Sequence, residues 1–152
     1  DEIMTVTEDQ LSSAALLLLE RAKMVVEPAG AAATAAVMAW PTKFEAPVAV
    51  VLSGGNVDSL LLLRIIRHGM AASGRYMTIK VRVSDSPGNL ARILSAVQDM
   101  HANIVEIEHN RMDPSLGVDE VEIDIHVETR GRDHAQEVLH NLIDQGFSAS
   151  EF

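Results

Sequence analysis

Three short segments combine glycine or proline with side chains that could bind a small polar ligand. In Ser53-Gly54-Gly55-Asn56, the glycines would let the backbone turn sharply and approach a ligand closely, beside the Ser53 hydroxyl. Glu27 precedes Pro28 at a predicted helix start, where the helix dipole favours a carboxylate. Asp85-Ser86-Pro87-Gly88-Asn89-Leu90 lies between a predicted strand and a predicted helix, whose free N–H groups suit a carboxylate ligand. Taken one at a time, these segments fit ordinary turns and helix caps better than ligand sites.

The pattern of residues 1–75 predicts three helices and one strand. A capping box begins the first helix, and a proline in the first turn begins the second. The single strand is apolar throughout, as in a buried parallel sheet, and one strand cannot form a sheet alone. The segment is therefore expected to be part of a larger α/β domain and to expose apolar surface by itself. Its elements are helices from Thr7 to about Lys23, from Pro28 to Trp40 and over Val57–Ala72, with the strand at Pro47–Leu52.

From Tyr76 the pattern predicts the order βαββαβ. Apolar and polar residues alternate in the strands, and apolar residues recur at helical spacing in between. With right-handed crossovers this order gives a four-stranded antiparallel sheet with both helices on one face, a ferredoxin-like α+β fold. The first strand then lies beside the third, so Lys80 and Arg82 should face Glu122 and Asp124. The strands are predicted from Tyr76, over Asn103–Met112, around Val121–Val127 and over Phe147–Phe152, with helices beginning at Pro87-Gly88-Asn89 and at Asp133.

Composition excludes several classes of function. The chain has 152 residues and a net charge of −10, with 6 basic and 14 acidic side chains in residues 76–152. Such a charge repels nucleic acid and anionic membranes, and the longest apolar stretch, Pro28–Trp40, is shorter than the roughly 20 residues that span a bilayer. The absence of cysteine excludes disulfides and is compatible with a cytoplasmic location. The six histidines lack metal-site spacing and are predicted to lie on the surface.

Two of the segments together resemble a known family. Val26–Ala32 and Val51–Asp58 are similar to the closing part of threonine and serine dehydratases, which are pyridoxal-phosphate enzymes of fold type II, the tryptophan-synthase-β-like class. The resemblance covers about residues 1–70. It implies that Ser53 hydrogen-bonds the pyridine nitrogen of the cofactor, that Glu27 lies at its rim, and that Gly54, Gly55 and Asn56 form the supporting turn. The family's Schiff-base lysine and phosphate loop have no counterpart here, so this chain alone is expected to hold no cofactor and to be inactive.

Residues 76–152 resemble the ACT domain, on the βαββαβ order and on the segment Asp85–Leu90 after the first strand. The resemblance implies that a small amino acid binds at this loop, usually where two ACT domains pair. The matching positions are Asp85, Pro87, Gly88, Asn89 and Leu90, with Asn103 and Ile104 of the second strand as the facing side. The family often has arginine where this chain has Ser86, which leaves the identity of the ligand open.

Two hypotheses follow from these resemblances. In the first, residues 1–75 are the last part of the catalytic domain of a threonine dehydratase, and residues 76–152 are its ACT domain. That domain binds isoleucine or valine, regulates the conversion of threonine (or serine) to a 2-oxoacid and ammonia, and pairs its sheet edges in a homo-oligomer. In the second, the chain is a non-catalytic module that senses amino acids or only dimerises.

Overall fold

The computed structural model describes residues 2–152 and divides the chain into two units, residues 1–73 and 74–152. The first unit contains three α-helices. The capping box is confirmed, because Thr7 Oγ1 accepts the Gln10 N–H while Gln10 Oε1 accepts the Thr7 N–H. Asp58 caps the third helix by accepting the N–H groups of Leu60 and Leu61. The helices are α1 (Glu8–Leu17), continued by a π-helical turn (Leu18–Ala22); α2 (Ala32–Ala39), preceded by a 3-10 turn (Pro28–Ala31); and α3 (Ser59–Ala72).

Small residues let the helices of the first unit approach closely. Ala14 on α1 and Ala35 on α2 are fully buried, and Ile65 is the large side chain that α3 adds to this core. A β-carbon at Gly69 of α3 would lie 2.7 Å from the carbonyl oxygen of Ser12, so the contact between α1 and α3 requires glycine there. No helix within residues 2–152 is long and apolar enough to cross a bilayer.

The predicted strand at Pro47–Leu52 is wrong. No strand is described between residues 2 and 73, and the side chain of Val51 is 82 % exposed. Strand geometry persists where a neighbouring strand accepts its backbone hydrogen bonds, and the described part of the first unit offers none. The unit does expose apolar side chains, as its pattern predicts; they include Leu17, Met24, Val25, Met38, Val48, Leu60, Leu61 and Leu63.

The second unit has the predicted topology. Its four strands form one antiparallel sheet in the order β2-β3-β1-β4, and two helices connect them. The fully buried side chains of β1, β3 and both helices form a single aliphatic core, which includes Ile79, Ile123, Val97 and Leu142. Both helices therefore cover the same face of the sheet. The elements are β1 (Tyr76–Ser84), α4 (Asn89–Asp99), β2 (Asn103–Asn110), β3 (Glu120–Glu128), α5 (Arg132–Asp144) and β4 (Ser148–Glu151).

Several element boundaries differ from prediction; for example, the final strand covers Ser148–Glu151 rather than Phe147–Phe152. The second strand ends at Asn110 rather than Met112. Asp133 does not cap α5, because the helix already begins at Arg132 with Gly131 as its N-cap. Asp133 instead lies in the first turn, where its negative charge still suits the helix dipole.

One histidine contradicts the predicted surface location. His134 on α5 is 5 % exposed; its Nδ1 accepts the backbone N–H of Arg130 at 3.0 Å, and its Nε2 lies 2.7 Å from the carbonyl oxygen of Met100. Because a carbonyl can only accept, Nε2 carries the proton and the ring is held in one neutral tautomer. The ring thus ties the start of α5 to the end of α4. No group of histidine, aspartate and glutamate in residues 2–152 could hold a metal ion.

The sheet face opposite the helices carries the predicted charge pairs. Lys80 pairs in register with Asp124, and Arg82 with Glu122. Glu122 is 5 % exposed and accepts hydrogen bonds from Arg82 Nε at 2.9 Å and Lys80 Nζ at 3.1 Å. These hydrogen bonds, that of Arg82 above all, hold the pKa of the Glu122 carboxyl below its ordinary value of 4.5.

The lowered pKa of Glu122 predicts that the second unit loses stability in acid. A carboxyl whose pKa is lower in the folded state adds stability above its ordinary pKa, and that stability is lost as the pH falls through the folded value. The urea midpoint of the wild-type second unit should therefore fall as the pH drops below 4.5, and Glu122→Gln should make this fall less steep. Glu137→Gln, at an exposed position on α5, is the matched control and should leave the wild-type slope. Equal slopes for Glu122→Gln and wild type would contradict the prediction.

Candidate functional site

The loop after β1 borders a cavity of about 370 Å³. The cavity lies at the end of the sheet where β1 and β2 end and β3 begins, so one loop and two neighbouring strands contribute side chains to it. Its floor is apolar, and its rim carries opposite charges. The lining residues are Val83, Ser84, Asp85, Ser86, Pro87, Gly88, Asn89, Leu90, His109, Arg111, Val121 and Ile123.

Gly88 shapes the cavity at the start of α4. Its φ of +97° lies in the left-handed region, and a β-carbon there would meet no atom within 4 Å, so the space beside it is open. Gly88 is the N-cap of α4, and it has no side chain that could accept the first N–H groups of that helix. The Asn89 amide instead donates to the carbonyl and hydroxyl oxygens of Ser84, which closes the loop back onto β1. An anionic group could therefore occupy the helix start.

Asp85 and Arg111 form an ion pair across the cavity. Arg111 Nε donates to Asp85 Oδ2 at 2.8 Å and Arg111 Nη2 to Asp85 Oδ1 at 3.3 Å. The hydrogen bond from Arg111 is the main reason that the pKa of Asp85 lies below its ordinary value. Asp85 is thus an anion at neutral pH.

The structure brings together most of the predicted effector residues. Asn103 and Ile104 are the exception: they lie at the start of β2, opposite Glu128 and Val127, at the other end of the sheet from the cavity. Local sequence patterns do not single out the cavity residues that come from β2, from the residue after it and from β3. Alternation from Ile107 puts His109 and, one residue beyond β2, Arg111 on the same side of the chain. Only the strand order places that side beside the loop after β1. The predicted residues that do line the cavity are Asp85, Pro87, Gly88, Asn89 and Leu90.

In the first unit, the two segments that carry the dehydratase resemblance lie against each other. The Glu27 N–H donates to the Gly54 carbonyl at 2.8 Å. Gly54 has a φ of +73°, and a β-carbon on it would lie 2.2 Å from Glu27 Oε1. A β-carbon on Gly30 would lie 1.6 Å from the Ser53 carbonyl oxygen. Both glycines are therefore needed for this approach, and Ser53, Gly55 and Asn56 remain exposed beside Glu27.

One exposed side chain of these two segments has the chemistry to contact pyridoxal phosphate, the cofactor that the dehydratase resemblance implies. A neutral hydroxyl such as that of Ser53 can hydrogen-bond a pyridine nitrogen. Each of the three lysines of the chain has a polar partner in the structure. Lys23 donates to the Glu20 carbonyl, Lys43 pairs with Glu2, and Lys80 pairs with Glu122 in the second unit.

Comparisons with known proteins agree with both resemblances. The ACT domain family model matches residues 77–144. Two L-threonine ammonia-lyases match 97 % of this chain, at 39 % identity in Geobacter sulfurreducens and 37 % in Thermotoga maritima. The chain spans 37 % of the length of these two relatives. Human serine racemase is 42 % identical over 62 residues, which are 38 % of this chain and 18 % of that protein.

A solved structure of the regulatory subunit of aspartate kinase from Thermus thermophilus also matches. Its TM-score is 0.41 at 20 % identity, and the match covers 51 % of this chain and 50 % of that one. The family assignment of this chain rests on the ACT family model and on the two L-threonine ammonia-lyases. Residues 77–144 belong to an ACT domain, whose four-stranded ferredoxin-like sheet extends from Tyr76 to Glu151, and over nearly its whole length the chain is homologous to two L-threonine ammonia-lyases.

Proposed function

We propose that this chain is the part of a threonine ammonia-lyase that regulates the enzyme through an amino-acid effector. The observation that carries the proposal is the cavity at Asp85–Leu90, in a chain whose relatives along 97 % of its length are L-threonine ammonia-lyases. The apolar floor of Val83, Val121 and Ile123 suits an aliphatic side chain, and isoleucine or valine is the proposed ligand. The uncapped start of α4 would accept the carboxylate.

The first unit would contribute to the catalytic site of that enzyme, which converts threonine to 2-oxobutanoate and ammonia. Ser53 would hold the pyridine nitrogen of pyridoxal phosphate, with Glu27 at the rim and Gly54, Gly55 and Asn56 as the supporting turn. The cofactor supplies the electron sink for the elimination. We propose that these 152 residues alone have no lyase activity, because the Schiff-base lysine motif and the phosphate loop that the dehydratase resemblance implies have no counterpart among them. A cytoplasmic location is part of the same proposal.

We also propose that two copies pair along β2. Val105 and Ile107 on this edge strand are 48 % and 38 % exposed, and an open edge offers backbone hydrogen bonds to a second strand. Antiparallel pairing would bring Asn103 and Ile104 of one copy towards the end of β2 in the other, beside the cavity. The facing side of the effector site would then come from the second copy.

Calorimetric titration of the 152-residue chain with isoleucine, valine, threonine and serine tests the effector site. We expect saturable binding of an aliphatic amino acid, and we expect Gly88→Trp to abolish it by filling the open space at the start of α4. Gly131→Trp is the matched control, because Gly131 also has a positive φ and open space but lies outside the cavity. Binding that survives Gly88→Trp would place the ligand elsewhere. A dimer that binds none of the four would favour a module that only dimerises.

A further inference from the structure

The ion pair between Asp85 and Arg111 occupies the mouth of the cavity without being buried. The Arg111 side chain is 54 % exposed and that of Asp85 is 42 % exposed. Exposed ion pairs stabilise a fold little, because water and dissolved ions compete for both charges. The two residues also come from separate segments, the loop after β1 and the residue after β2, so the pair can open while the sheet stays intact.

The charges of Asp85 and Arg111 restrict which ligand can separate the pair. Asp85 and Arg111 neutralise each other within the ion pair. A ligand that carries only an ammonium would satisfy Asp85 and leave Arg111 without its partner, and a ligand that carries only a carboxylate would do the reverse. A zwitterion satisfies both charges at once and leaves the net charge of the cavity unchanged.

The surroundings of the pair favour an aliphatic side chain on this zwitterion. Val121 and Ile123 form the floor, and Pro87 and Leu90 border it. Val121 and Ile123 are 2 % and 1 % exposed, so the floor is continuous with the aliphatic core of the unit. An additional polar group on the ligand would meet no partner on this floor.

We infer that Arg111 is the residue that recognises the ligand's carboxylate, and that an aliphatic α-amino acid binds by separating the Asp85–Arg111 pair. The ligand's ammonium takes the place of Arg111 on Asp85, and its carboxylate takes the place of Asp85 on Arg111, with one oxygen left for the N–H groups at the start of α4. This assignment rests on the proposed effector site and adds its specificity-determining residue.

The test uses the 152-residue chain and three probes of one shape. Valine carries both charged groups, isobutylamine lacks the carboxylate, and 3-methylbutanoate lacks the ammonium. Ligand-detected nuclear magnetic resonance gives a dissociation constant for each probe, including weak ones. We expect the wild type to bind valine more tightly than either analogue. Arg111→Gln should raise the dissociation constant for valine about tenfold or more, since it removes a charge-assisted hydrogen bond. The same substitution should not weaken the binding of isobutylamine, which has no carboxylate for Arg111 to contact.

Two further variants separate recognition from a structural effect. Arg111→Lys keeps the positive charge and should retain most of the valine affinity. Arg130→Gln removes one exposed positive charge outside the cavity and should bind all three probes as the wild type does. The inference is overturned if Arg111→Gln binds valine normally, or if it weakens valine and isobutylamine by the same factor. Wild-type protein that binds neither valine nor isoleucine would overturn the proposed effector site and this inference with it.

Discussion

Gly30→Ala is expected to push the Ser53–Asn56 segment away from Glu27 and to destabilise the first unit. The new β-carbon would lie 1.6 Å from the Ser53 carbonyl oxygen and 2.7 Å from its carbonyl carbon. These neighbours are backbone atoms, so no side-chain rotation relieves the overlap, and either the loop or the start of the 3-10 turn must move. Overpacking of this kind costs about 1–3 kcal/mol or more.

Trp40 reports on this change, because it is the only tryptophan of the chain and lies in the first unit. Urea unfolding followed by tryptophan fluorescence should give a lower midpoint for Gly30→Ala than for wild type. Gly55→Ala is the matched control: its β-carbon would meet only the Val25 carbonyl oxygen, at 3.3 Å, so a much smaller loss is expected. Equal midpoints for the two variants would mean that the segments do not pack as described.

The consequence for a complete threonine ammonia-lyase would be larger than the loss of stability. If Ser53 holds the pyridine nitrogen, displacing its backbone moves the hydroxyl away from the cofactor. Small displacements of a positioning group have large effects on rate, because geometry is what such a group contributes. Gly30→Ala therefore tests the proposed catalytic role of the first unit as well as its packing.

Ile79→Ala is expected to cost the second unit about 2–5 kcal/mol, as deletions of large buried aliphatic side chains do. Ile79 is fully buried in β1, opposite Ile125 of β3 and in the same core as the helices α4 and α5. A single domain is stable by roughly 5–15 kcal/mol in total. One substitution would thus remove a large part of the stability of the ACT domain.

Far-ultraviolet circular dichroism of the strands and helices during urea unfolding measures this loss. Ile143→Ala deletes the same atoms from α5, but Ile143 is 45 % exposed, so it should cost far less. Tryptophan fluorescence of Trp40 should change little in either variant if the two units unfold separately. A cost for Ile79→Ala no greater than for Ile143→Ala would contradict the described core.

The two units differ in how well local patterns predict them. In the second unit, alternation in the strands and helical spacing in α4 predict each element, because each pattern has its partners inside the same 79 residues. Even the pairing of Lys80 and Arg82 with Asp124 and Glu122 follows from the order βαββαβ. In the first unit, the apolar run Pro47–Leu52 predicts a strand that does not form, because a strand also needs a neighbour.

The amino-acid sequence by itself determined the ferredoxin-like topology, the loop at Asp85–Leu90, and the resemblance of Glu27 and Ser53 to the dehydratases. Periodicity and turn chemistry are local, so one sequence contains them. Only the tertiary structure decided that Arg111 meets Asp85 across the cavity, that Asn103 and Ile104 lie at the far end of the sheet, and that Gly30 and Gly54 hold the two dehydratase segments together. These contacts join residues that are distant in sequence. Their distances depend on the order of the strands and on how closely the backbone segments approach, and a local pattern contains neither.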